Sequence, residues 1–370
     1  MRLPPSMKSK LLSILLVLVS LAQPAPAEST KRMIGTRPLP GMPAQAFTIV
    51  VIPDTQSYAG KGCKATPDSN EPVTNVNLAA QVNWIREHRD DQNIVFVTHV
   101  GDIVDKNNAN EWAVAKQHLD TLRGVVPFSL TVGNHDMTSR GDAHLFQEHF
   151  PAASFAQFPW YLSSYTHTRP EQNVSANNVN SAQLFSAGGI DFIHLSLECN
   201  APDDVLAWAN TTLEKHAGRR ALVTTHMDLG ILDKPKTTEG YIHDPKGRMR
   251  WVKIHGARGN TGEQMWDKLF CKHPNLDLIF CGDQSRVTAL KITAKADDGH
   301  LVTSLLSDYM SNPVLRLLRF VPAEHRIHAL TYEVVQQVLI DDTPYVHDLY
   351  EHQFTLPLPM ADAQTTKSAR

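Results

Sequence analysis

Five short stretches of this chain set oxygen donors or an imidazole where an apolar run stops. They are Pro53-Asp54-Thr55-Gln56, Gly101-Asp102-Ile103-Val104-Asp105, Gly133-Asn134-His135-Asp136, Thr225-His226 and Gly282-Asp283-Gln284-Ser285. Carboxylate, amide and imidazole side chains suit divalent first-row metals and serve soft, thiophilic ones poorly. Glycine ahead of a donor lets the backbone turn sharply while the side chain is aimed. Each residue alone has an ordinary explanation. Asp54 reads as a turn aspartate, Asn134 as a left-handed turn residue and His226 as a hydrogen-bonded loop or core histidine. Together, at successive apolar ends, they read as a metal site. One aspartate shared by two ions about 3.5–4 Å apart would support hydrolysis of a phosphoester, and Asp102 is the candidate bridge.

The elements that must carry these residues are legible around them. Phe47–Ile52 is a short apolar run halted by Pro53-Asp54, the pattern of a buried strand. Residues 75–89 follow with a helical spacing of Leu78, Val82, Trp84 and Ile85, then a second buried strand over 93–100 ends at Gly101-Asp102. A helix over 110–123 leads to a third strand, 125–132, ending at Gly133-Asn134. Further strands are predicted at 190–197, at 221–225 before His226, at 276–281 before Gly282-Asp283, and at 301–306, 315–321, 326–333 and 347–356. Alternating strands and helices predict an α/β fold whose sheet is covered on both faces. Ligands in such sheets gather beyond the carboxyl ends of the strands, where Asp54, Asp102 and Asn134 fall. Residues 28–45 read as a linker, 359–370 as a flexible tail, and 137–185 and 227–262 as irregular insertions that shape a substrate site.

With those motifs in order, the chain resembles the calcineurin-like metallophosphoesterase superfamily. The family pattern runs Asp-x-His, Gly-Asp-x-x-Asp, Gly-Asn-His-Glu or Asp, a later His, then Gly-His-x-His. Gly101-Asp102-Ile103-Val104-Asp105 followed about thirty residues later by Gly133-Asn134-His135-Asp136 is its most specific part here. The resemblance covers roughly residues 46–310. It implies a two-sheet βαβ sandwich domain over 46–358, with the metal site at the C-terminal ends of the strands. It further implies Asp54 and Asp102 on one metal, and Asp102, Asn134 and His226 on a second. His135 would meet the phosphate or protonate the leaving oxygen, and Asp136 would orient it. Asp105 would cap a turn, and His99 would lie in or next to the ligand set.

Two departures from the pattern bear on the metals. Gln56 stands where the family has a histidine, as in a subset that opens Pro-Asp-Thr-Gln, and Gly282-Asp283-Gln284-Ser285 replaces Gly-His-x-His. Asp283 keeps an oxygen ligand for the second position, while Gln56 and Ser285 are weaker neutral ligands for the first. One or two divalent ions per chain are therefore expected, the second-position ion held better, with Mn, Mg, Ca or Fe favoured over Zn. Gln284 and Arg286 inherit no role; they read as surface positions, with a substrate contact as the alternative. The basic run Lys246, Arg248, Arg250, Lys253, His255 and Arg258 could hold a phosphate-bearing substrate or form a solvated face.

The rest of the sequence narrows the setting. Arg2, Lys8 and Lys10 precede an apolar run, Leu11 to Leu21, and Ala25-Pro26-Ala27 fits a signal-peptidase site. That run has about 11 residues where a span needs about 20, so residues 1–27 read as a cleaved signal peptide and the protein as secreted or periplasmic. A formal net charge of −3 with 18 histidines does not suggest nucleic-acid binding. Four cysteines permit two disulfides or four buried thiols. The sequence lacks a Gly-x-Ser-x-Gly elbow, a His-Glu-x-x-His helix and a phosphate-cradling Gly-rich loop. The expected activity is hydrolysis of a phosphomonoester or phosphodiester, small or macromolecular, by metal-activated water. The alternative is a binding protein that keeps the fold and an ion without hydrolysis.

Overall fold

The computed structural model describes residues 33–166 and 174–359. The signal peptide expected at 1–27 and residues 360–370 of the expected tail lie outside the described residues. Strands are numbered along the chain. The first sheet is built on three parallel strands, β1 (Phe47–Ile52), β2 (Ile94–His99) and β3 (Phe128–Leu130). Beyond β1 it continues antiparallel through β13 (Val314–Val321) and β14 (Arg326–Glu333), with β15 (Val338–Leu339) and β16 (Phe354–Pro357) both on β14. The second sheet runs β11-β12-β10-β7-β6-β5-β4. Its members are β4 (Tyr161–Ser164), β5 (Ser181–Ala187), β6 (Ile190–Leu197), β7 (Arg220–Thr225), β10 (Leu276–Cys281), β11 (Ala289–Lys295) and β12 (Leu301–Ser307). Strands β6, β7, β10 and β12 are parallel neighbours. A separate ribbon pairs β8 (Leu229–Ile231) with β9 (Lys246–Arg248).

The continuous apolar text of β1 is explained by its two buried faces. Phe47, Ile49 and Val51 enter the core between the sheets, with Phe192, Leu222, Phe280 and Leu318. Val50 and Ile52 face the other way, onto Leu78, Val82 and Ile85 of the helix Val76–Glu87 and Trp112 of the helix Ala109–Leu119. The outer face of the second sheet is covered likewise by the helices Asp203–Lys215 and Gly262–Lys268. Layers of helix, sheet, sheet and helix result, and the parallel strands of both sheets end at one rim.

Some elements differ from the sequence expectations. Strand β3 is shorter than 125–132 because the Val125 and Val126 N–H groups donate back to the Leu122 carbonyl. Residues 33–45 are irregular but tied down: the Pro40 carbonyl accepts from Arg319 at 2.7 Å and Arg37 pairs with Asp341 at 2.5 Å. All four cysteines are buried and unpaired. No helix among the described residues is long and apolar enough to cross a membrane.

Towards the rim, hydroxyls replace aliphatics between the sheets. Ser129 donates to Thr98 (2.9 Å), Thr98 meets Thr224 (2.8 Å), and Thr224 meets His194 Nε2 (2.7 Å). His194 Nδ1 then faces Gln183 Oε1 at 2.9 Å. The row is consistent when each hydroxyl donates onward and a neutral His194 accepts at Nε2. Burial pushes His194 down from 6.5 to about 3. The unfolded chain then binds the extra proton between those values, so stability should fall as pH drops from about 6.5 towards 3. Denaturant midpoints across that window should show the fall, and His194→Gln should shallow it by up to about 1.4 kcal/mol per pH unit.

Candidate metal centre

Asp54 follows β1, Asp102 follows β2, Asn134 lies beyond β3, His226 follows β7 and Asp283 lies just past β10, so both sheets feed one point. Local backbone aims them. Asp102 and Asp283 adopt left-handed φ values of 51° and 74°, uncommon for non-glycine residues and tolerated best by aspartate and asparagine. Gly282 is required by close approach, because a Cβ there would stand 2.1 Å from Asp54 Oδ1. Asn75, which caps the helix Val76–Glu87, also donates to the Thr55 carbonyl at 2.6 Å and so fixes the loop carrying Asp54.

His226 is buried, and its Nδ1 donates to the Val100 carbonyl at 2.9 Å. That tautomer leaves the Nε2 lone pair turned inward, 3.1 Å from Asp102 Oδ1 and 3.5 Å from Asp283 Oδ1, with no hydrogen bond of its own. Asp54 Oδ2 accepts the Asp283 N–H at 3.2 Å, whereas buried Asp54 Oδ1 has no hydrogen bond. Ligand atoms of Asp54, Asp102 and His226 lie within 4.8 Å of one another. Lone pairs facing each other in a water-poor seam repel unless a cation joins them. The titration directions agree. Burial, then Asp308, raises Asp54 well above the carboxylate range, and His226 is raised because the neighbouring carboxylates overcome its burial. Burial also opposes ionisation of Asp102, but His226 outweighs it and holds that carboxyl below its ordinary value. A cluster that draws in protons so strongly is one in which a divalent ion would take their place.

Other expected residues have more particular positions. Gln56 donates its amide to Asp102 Oδ2 at 3.1 Å. His135 donates its backbone N–H to Asp102 Oδ1 (2.8 Å) and lines the cleft, its ring held through Nδ1 by the Asp105 carbonyl at 2.7 Å. The expectation that Asp136 orients His135 is therefore corrected. Asp136 accepts the N–H groups of Ile103 (3.1 Å), Val104 (3.0 Å) and Gly133 (2.8 Å), bracing the second motif against the third. Burial pushes it up to about 6. His99 is buried beside the ligands, between the Gly101 N–H and the Thr55 hydroxyl, and burial takes it down to about 3. Asn134 Oδ1 accepts from Lys253 Nζ at 3.1 Å, and Lys253 also pairs with Asp283.

Asp308, one residue past β12, was missed. Its carboxylate accepts from the Met310 N–H (2.9 Å) and the Ser285 hydroxyl (3.2 Å), and burial raises it to about 6. The signal was available, since Asp308 closes an apolar strand as Asp54 does. Tyr309, Met310 and Ser311 follow in a left-handed turn, and Ser311 accepts the Gln56 N–H at 3.0 Å. Gln284 is no surface residue: it is buried and donates to Asp283 Oδ2 at 2.7 Å.

Above the cluster lies a polar cleft of about 270 Å³, lined also by Lys64, Tyr241 and Arg286. The insertion 227–262 supplies Tyr241 and Lys253, whereas the described part of 137–185 contributes no lining residue. The basic run is dispersed. Arg248 pairs with buried Asp228 (2.7 Å), Arg250 with Glu263 (3.5 Å) and His255 with Glu198 (3.1 Å), leaving Lys253 as the member at the cleft.

Residues 47–286 match the calcineurin-like phosphoesterase family, and the chain belongs to it. It is 26% identical over 316 residues to a protein of Bacillus subtilis named uncharacterized protein YvnB, covering 82% of this chain but only 20% of that one. The chain thus spans about a fifth of that relative's length. Similar solved structures include a dimetal phosphatase from Danio rerio, at 12% identity and TM-score 0.44, covering 85% of this chain and 99% of that one. A 5′-nucleotidase precursor from Thermus thermophilus matches at 12% identity and TM-score 0.43, over 84% and 54% of the two chains.

The approach of Gly282 to Asp54 gives a direct test. Gly282→Ala should displace the Asp54 carboxylate and weaken Mn binding by roughly tenfold or more, as loss of a ligand's support does. Calorimetric titration would measure it, with thermal unfolding as the check on folding.

Proposed function

We propose that this chain is an exported metal-dependent phosphoesterase that hydrolyses a phosphomonoester or phosphodiester. The observation that carries the reading is the inward convergence of unpartnered Asp54 Oδ1 and His226 Nε2 on Asp102, beneath a cleft lined by His135. Asp54, Asp102 and His226 would hold a divalent ion, with Gln56 and Asp308 beside them. Such an ion supplies Lewis acidity, polarising a phosphoryl oxygen and making water a better nucleophile. The protein's own groups do the rest. The Asp105 carbonyl holds Nδ1–H of His135, so Nε2 is the atom that meets the phosphate or passes a proton to the leaving oxygen. Lys64 and Arg286 add positive charge at the cleft wall for an anionic substrate. Tyr241 offers an aromatic wall from the insertion 227–262, next to Arg286, whose guanidinium is 5.8 Å from the ring centroid. Export rests on the sequence of residues 1–27.

A second reading, an ion-binding protein without hydrolysis, draws on the ammonium group already bonded to Asn134 and Asp283. Metal content and turnover of aryl phosphomonoesters and phosphodiesters, measured on one Mn-loaded sample, separate the two. Chelation should abolish turnover and Mn should restore it. Asp102→Asn and His226→Ala should lose metal and activity together. His135→Ala should keep its metal while kcat falls by about 10²- to 10⁴-fold. Tight metal without turnover on either substrate class would favour the binding protein, and an unchanged kcat in His135→Ala would remove that residue from the chemistry.

A further inference from the structure

The donors at this centre fall into two halves. Asp54 Oδ1 and His226 Nε2 are buried and have no hydrogen bond. Asn134 Oδ1 and Asp283 Oδ1 instead share one donor, Lys253 Nζ, at 3.1 Å from the asparagine and in direct ion pairing with the aspartate. The Lys253 side chain is 28% exposed, against 1% for its partner Asp283. Its surroundings hold it there. Asn200, past the end of β6 with a left-handed φ of 53°, accepts the N–H groups of Lys253 (2.9 Å) and Ile254 (3.3 Å) on Oδ1. The next residue, His255, is left-handed at 65° and anchored through Nε2 to buried Glu198 at 3.1 Å. On the other side, the Trp251 indole N–H donates to the Ile231 carbonyl at 3.0 Å, and its ring centroid lies 5.7 Å from Lys253 Nζ. Three anchors around one lysine make its inward position a built feature of the loop.

We propose that the Lys253 ammonium is a resident cation at the Asn134–Asp283 half of the centre, so that this chain holds one divalent ion, at Asp54, Asp102 and His226, rather than two. The inference rests on the metal-dependent reading above. A divalent ion bound to Asn134 and Asp283 would compete for the same oxygens, Asn134 Oδ1 and Asp283 Oδ1, that the ammonium engages. An ion bound to those two oxygens would also be repelled by the positive charge of Lys253, whose Nζ lies 3.1 Å from Asn134 Oδ1. Lysine supplies charge and hydrogen bonds to a bound phosphate oxygen without the geometric demands of a metal.

The test is metal stoichiometry of the full chain, loaded with Mn and dialysed, read by elemental mass spectrometry and by electron paramagnetic resonance. Wild type should hold about one ion with a mononuclear spectrum, and Lys253→Met about two with the exchange coupling of a close pair. Lys253→Arg, which keeps the charge, should stay at one. Lys253→Ala is the second neutral variant should the methionine form not fold, and a wild-type ratio of two would overturn the proposal without either. Two ions in wild type, or one in both neutral variants, would overturn the proposal while leaving a Mn-dependent hydrolase intact. No ion in any of these proteins would overturn it together with the phosphoesterase reading.

Discussion

Four carboxylates share one buried seam in this protein: Asp54, Asp102, Asp283 and Asp308 are each no more than 9% exposed. Taking one ionised carboxylate out of water costs several kcal/mol even after relaxation, and far more without a partner. Backbone N–H groups relieve part of this. Asp283 donates to Asp54, His135 to Asp102 and Met310 to Asp308. Those bonds leave Asp54 Oδ1 facing inward without a partner. The seam is stable only with positive charge inside it, and the surrounding structure supplies that charge or makes room for it.

Much of the rim follows from this need. Strands β1 and β2 belong to one sheet and β7 and β10 to the other, so donors from both converge only if the sheets keep a fixed spacing there. Aromatic and aliphatic side chains set that spacing deeper in, where Phe96 stacks on Phe185 with centroids 4.5 Å apart. Near the rim, hydroxyl-to-hydroxyl bonds do so, Thr98 to Thr224 at 2.8 Å and Thr131 to Ser196 at 2.7 Å. Such bonds are directional where apolar contact is not, so they fix registry as well as distance. The left-handed turns at Asp102 and Asp283 then spend backbone strain on aiming the two carboxylates.

The sequence made this arrangement legible unevenly. Strands β1, β6 and β10 are legible to the residue: β1 and β10 are largely apolar runs that stop ahead of Asp54 and Asp283, and β6 sets Asp191, His194 and Ser196 between apolar residues. Strands β5 and β11, Ser181–Ala187 and Ala289–Lys295, are not, since small and polar residues break their pattern and partners distant in sequence decide their pairing. The residues of the five motifs could be named because hard donors at strand ends are a local signal. Their partnerships could not. Whether Asp136 or Asp105 holds His135 depends on how two loops pack, and the spacing of Gly-Asn-His-Asp favours the wrong neighbour. Lys253 is hidden in a run of basic residues, three of which turn to Asp228, Glu263 and Glu198. Only the fold of the 227–262 insertion distinguishes it.

Asp283 and Ser285 stand where the family pattern Gly-His-x-His has its histidines, and this bears on that lysine. Imidazole is a neutral ligand, whereas Asp283 brings another negative charge into a seam that already holds Asp54, Asp102 and Asp308. An ammonium beside Asp283 offsets that charge and restores the local balance that a neutral ligand would have given. A divalent ion together with Lys253 brings three positive charges against the four carboxylates of the seam. Two divalent ions with Lys253 would bring five, an excess that only anionic ligands could offset. The aspartate and the lysine thus act as one charge pair, a carboxylate just past the end of β10 and its counter-charge delivered by the insertion that follows β7.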